Sequence, residues 1–220
     1  MSAETQLIAK WRRWLDRIEE DQLRDLLINR RIFHQFRDCI EPYVDGDRGA
    51  ELANWMARNY VASAVTSIRR MVESPGRKWK SISLIILLEE MAKNDSLLSR
   101  ERFSRLYQSS SVKQFVNRDF AKIAGNKNDT LVRAAKINRD IRALKSACQR
   151  IKKLVDKVVG HTEEDRRKVP RVRFGEIDRA IDLLETTFKR YYILLKGTCP
   201  DPLVPWDDFE VMEDLNQIWQ

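Results

Sequence analysis

The chain has 220 residues, 34% of them charged and 43% apolar, with only 7 Gly and 6 Pro. That length suffices for one good-sized core, and the balance excludes turn-rich β structure and disorder in favour of amphipathic helices. The net charge of +8 points towards an anionic partner, and the longest apolar run, Leu84–Leu88, is far below the roughly 18 residues of a membrane helix.

The N-terminal stretch has no apolar signal region and reads straight into a charged amphipathic pattern, so a cytoplasmic protein with no membrane partner is expected. Within it, Trp11-Arg12-Arg13-Trp14 interleaves arginine with aromatics, a pattern able to stack on bases or, at helical spacing, to pack. The first helical region is predicted over residues 5–40, where Leu23, Leu26, Leu27, Phe33, Phe36 and Ile40 recur at three- and four-residue steps and Pro42 ends the pattern. A second helix is predicted over 48–73, its inner stripe Val61, Val65, Ile68 and Val72, stopped by Ser74-Pro75-Gly76. A third, apolar on all sides, follows with Ser81 or Ser83 as N-cap. Residues 94–129 are expected to hold two short helices, near 101–107 and 112–123.

The clearest periodicity comes next. Ile137, Ile141, Leu144, Cys148, Ile151, Val155 and Val158 alternate four- and three-residue steps on a helix predicted to begin near Thr130. Ile177, Ile181, Leu184, Phe188, Tyr191 and Leu195 repeat the pattern on the following helix, so the two form an antiparallel pair joined by a polar connection. The fold class is therefore an all-α up-and-down bundle, with residues 1–197 expected to form one domain. Residues 198–220, rich in proline and then acidic, form a tail expected to pack on the bundle or on a partner.

Cys39, Cys148 and Cys199 are odd in number and lack CxxC spacing, which argues against a disulfide framework, and Cys148 reads as a small core residue. There is no P-loop, GxGxxG or HExxH, and the two histidines, His34 and His161, belong to different elements; no metal or cofactor is predicted. The charge is concentrated: 14 Lys/Arg face 5 Asp/Glu between Arg133 and Arg173, a surplus of nine, so the rest of the chain is slightly acidic. Such a stripe can neutralise phosphates, with Lys153, Arg166, Arg167 and Lys168 the candidate RNA contacts; it can also be a solvated face. His161 follows Gly160 at the end of the basic helix. There an imidazole can serve as a general base near neutral pH or as a helix cap.

The segment from Leu154 to Gly197 resembles the C-terminal half of HEPN domains, particularly the abortive-infection (Abi U-type) branch of bacterial anti-phage systems, and the stretch Asn59–Glu73 with the SISLIILLEE helix resembles that branch's middle helices. The resemblance implies a helical bundle, commonly dimerised so that two histidine motifs share a cleft, and a metal-independent ribonuclease in active members. The family motif is an arginine, then a polar residue, then a histidine separated from the arginine by four to six residues. The resemblance places the histidine at His161 and the polar residue at Asp156, while the arginine position falls on Val155, a departure from the pattern. Arg69 or Arg70, on the helix that the resemblance places alongside, would then supply the missing cation with Lys157. The function implied is an RNA-targeting effector of a defence or toxin system, a homodimer with an antitoxin or other defence-system protein as possible partner. The alternative is a catalytically silent module that binds RNA or a protein.

Overall fold

The computed structural model describes residues 2–40, 50–74, 81–107, 115–159, 165–200 and 203. Helix α1 (Ala3–Ile18) begins two residues before the predicted start because Ser2 caps it, its hydroxyl accepting the Thr5 amide at 3.2 Å. A π turn (Glu19–Leu23) joins it to α2 (Arg24–Ile40), and the wider turn makes a five-residue step from buried Ile18 to buried Leu23. Helix α3 (Ala50–Met71) runs antiparallel to α2: Asn29 meets Ser63, and Phe33 stacks on Tyr60 with ring centres 4.1 Å apart. Of the two serines proposed to cap the third helix, Ser83 does so, its hydroxyl oxygen accepting the Ile86 amide at 3.1 Å at the start of α4 (Leu84–Lys93).

The short helices are α5 (Arg100–Ser104) and α6 (Val116–Ala124), both displaced from the predicted bounds. The next helix is a larger correction. It begins at Ala134, not near Thr130, because Leu131 bridges Ser99 in an antiparallel pairing and Val132 N–H bonds to Leu98 O, which holds 130–132 extended. Asp95 then accepts the Ala134 amide at 2.8 Å, an N-cap supplied from elsewhere in the chain.

The long helix itself is a rod of three parts, α7 (Ala134–Ala147), α8 (Gln149–Leu154) and a π turn (Val155–Val159), with a break at Cys148. Buried Ile137, Ile141, Leu144, Cys148, Ile151 and Val155 keep their register across the break. Val158 does not continue the seam: the π turn swings it outward, and it is 50% exposed. Burial pushes the Cys148 thiol up to about 12, as expected of a core cysteine.

Helix α9 (Phe174–Lys196) lies at the centre, packed against α1, α2, α3, α6 and α7, and all six of its predicted seam residues are buried. Asp140 of α7 meets Arg190 and Tyr191 near one end of α9, and Arg150 of α8 meets Glu176 near the other, so rod and α9 are antiparallel as predicted. Gly197 ends α9 at φ +75°, where a Cβ would stand 2.7 Å from Leu106 Cβ; glycine is needed there for both conformation and space. Trp11 is fully buried and donates to Glu90, and Trp14 packs at the core's edge under Lys10, so the Trp-Arg-Arg-Trp segment is a packing face. Among the described residues there is no strand, and no helix is long and apolar enough to cross a membrane.

Candidate functional site

At the end of the rod two of the residues proposed from sequence, Arg69 and Asp156, come together. While α7 packs on α4 and α9, α8 and the π turn lean on α3. That contact brings Arg69, in the last turn of α3, to Asp156: Nε donates to Oδ1 at 2.7 Å, although the two residues are 87 apart in sequence. Arg69 Nη1 also lies 3.6 Å from Glu73, one helical turn on, so the guanidinium is held between two carboxylates. Both partners keep contact with solvent, Arg69 being 34% and Asp156 44% exposed. A guanidinium so placed is fixed in its plane, with part of its edge still open to solvent.

Arg70 is elsewhere. It is exposed and lines a polar cleft with Arg17, Asp21, Gln22, Glu73 and Ser81, on the side of α3 that faces the first π turn. Lys157 is half-buried, Lys153 is exposed, and Val155, at the position where the family motif has arginine, is only 5% exposed and part of the core. His161 and the side chain of Arg166 lie outside the described residues. Their neighbours 166–168 form a short 3-10 turn in which Arg167, with Nε 3.1 Å from Asp165, and Lys168 are exposed.

The connection is anchored where it re-enters the bundle. Glu176 accepts the Arg173 amide at 2.9 Å and Arg150 Nη1 at 2.7 Å, and Arg150 also reaches the Arg171 carbonyl. The Arg173 amide first, then the surrounding guanidinium charges, hold the Glu176 carboxyl below its ordinary range. Between this anchor and the π turn opens a groove of about 350 Å³, lined by Asn54, Ala57, Val61, Leu154, Val158 and Phe174. Phe174 is 41% exposed.

Sequence reasoning passed over His34. Its Nε2 lies 3.1 Å from Asp178, and one turn earlier Arg30 meets Asp182, so the pair belongs to a polar ladder zipping α2 to α9. The i, i+4 spacing of these residues on both helices was the available signal. No group of three or more His, Cys, Asp or Glu among the described residues could hold a metal ion.

A family model described as AbiU2, of the HEPN type, matches residues 8–218. The chain belongs to the AbiU2 family of HEPN domains. The match covers nearly its whole length, and the all-α bundle agrees with that family's architecture. No curated protein and no solved structure matches this AbiU2 domain.

Proposed function

We propose that this abortive-infection HEPN domain is the RNA-directed effector of a bacterial defence or toxin system, acting as a homodimer and restrained by an antitoxin or other defence-system protein. In this reading it is a metal-independent endoribonuclease. The observation that carries the reading is the Arg69–Asp156 contact: a guanidinium from α3 stands beside the residue at the motif's polar position, five residues before His161. The cation that buried Val155 does not provide is thereby supplied from a neighbouring helix. His161 takes the proton from a ribose 2′-hydroxyl, Asp156 orients the network, and Arg69, with Lys157, stabilises the charge that grows on the phosphorus centre. The 2′-oxygen attacks the adjacent phosphorus, the bond to the 5′-oxygen breaks, and that oxygen takes up a proton from the imidazolium or from water, leaving a 2′,3′-cyclic phosphate and a 5′-hydroxyl.

The catalytically silent module remains the second reading, favoured by the apolar residue at position 155, which is sealed in the core. RNA incubated in EDTA separates the two. Cleavage to cyclic-phosphate ends, lost about 10²–10⁴-fold in His161→Ala, is the expected result. Undiminished cleavage by His161→Ala contradicts the mechanism, and binding without cutting, with or without metal, gives the silent module.

A further inference from the structure

The rod has a second face, opposite its seam. Ala135, Arg139, Arg142, Ser146, Gln149 and Lys153 follow one another at alternating four- and three-residue steps, the register of the buried residues carried to the other side, and every one is exposed. Among the described residues, Arg139, Arg142 and Lys153 have no carboxylate partner. Lys145 and Arg150, on either flank, are tied to Glu89 and Glu176, so the nearby acidic groups are already neutralised. From Ala134 to Leu154 the rod has no aromatic residue, and its one acidic residue, Asp140, is largely buried and tied to Lys136 and Arg190. Between its cations stand Ala, Ser, Asn and Gln, which leave room for close approach.

We infer that this face docks the backbone of double-helical RNA, in addition to the connection and the rod's end; the inference rests on the RNA-directed reading. Charge fixes the sign of the partner: a face without carboxylates repels a second copy of itself and attracts phosphates. Shape and composition fix the class. Single strands are gripped by aromatic platforms on which bases stack, and the face has none. Helical RNA is instead recognised through phosphates and 2′-hydroxyls presented at fixed positions, for which a rigid row of cations and small amide or hydroxyl side chains is suited. Arg139 and Lys153 are 14 residues apart, about 21 Å along the helix axis, a span that bridges several phosphates.

The test is fluorescence anisotropy with a 20-base-pair RNA duplex and a 20-nucleotide oligouridine, on the full chain, in EDTA and over a range of salt. The duplex should bind at least about tenfold more tightly than the single strand. Arg139→Ala/Arg142→Ala/Lys153→Ala should weaken duplex binding at least about tenfold and reduce the salt slope by about two to three, since each lost phosphate contact removes somewhat less than one. Arg13→Ala/Lys122→Ala/Lys127→Ala, which removes the same charge from exposed positions elsewhere, should do neither. Equal affinity for duplex and single strand, equal losses in the two triple variants, or equal binding to anionic lipid vesicles overturns the inference. If only Arg166→Ala/Arg167→Ala/Lys168→Ala weakens binding, this face is solvated and the RNA-directed reading stands without it. Every chain compared also carries His161→Ala, so cleavage does not enter the readout and a failed nuclease assay leaves the result interpretable.

Discussion

At one end of the antiparallel pair, Asp140 gathers Lys136 at 2.6 Å, Arg190 at 2.8 Å and the Tyr191 hydroxyl at 2.9 Å, with only 11% of its side chain exposed. At the other end, Arg69 and Asp156 meet at 2.7 Å in partial contact with solvent, beside an open groove and the exposed Val158 and Phe174. Both ends join charged residues from different helices, yet only the first closes its network. Saturated and largely shielded from solvent, the Asp140 cluster fixes how the helices pack. The Arg69–Asp156 pair leaves guanidinium and carboxylate edges accessible, as a site that must meet a substrate requires.

The contrast can be broken at either end. Asp140→Ala strands two cations and a buried phenol, and should cost about 3–5 kcal/mol in urea denaturation; a cost near zero would show that the cluster does not set the packing. Within the rod, buried Val155→Ala should cost about 1.5–3 kcal/mol, whereas Val158→Ser should stay within about 0.5 kcal/mol, and equal costs would contradict the outward swing of the π turn.

A smaller effect concerns pH and the rod's break. Cys148 ionises near 9.0 when unfolded and near 12 when folded, so its contribution is fully present below 9 and is lost as pH rises towards 12, by at most about 1.4 kcal/mol per pH unit. Burial, then the Asp140 carboxylate, raises Tyr191 as well, which extends the decline in the same direction. Stability of the unaltered chain should fall above pH 9, and Cys148→Ala should flatten the first part of that fall. An unchanged profile would mean that the thiol is not buried in solution.

Much of this was readable from the sequence because apolar periodicity reports burial directly: the α9 seam is buried at every predicted position, and the rod's at all but Val158. The exception arises from a π turn, a local change of helical pitch for which the residue pattern carries no marker. The start of the rod was misplaced for a similar reason, since Asp95 and the Ser99–Leu131 bridge act from outside the helix. At the candidate site, the family resemblance pointed to Arg69, Arg70, Asp156 and Lys157, but the choice between adjacent arginines depends on which side of α3 faces the rod. Arg139 and Arg142 could have been found by reading the periodicity of the exposed positions as carefully as that of the buried ones.

The most direct test of the site is the rate of RNA cleavage in EDTA by Arg69→Ala and Arg70→Ala, compared side by side at equal fold stability. The account predicts a loss of about 10²–10³-fold for Arg69→Ala, typical of removing one donor to transition-state charge, and less than about twofold for Arg70→Ala. A loss confined to Arg70→Ala, or equal in both variants, would contradict the assignment of Arg69 as the cation that stands in for position 155.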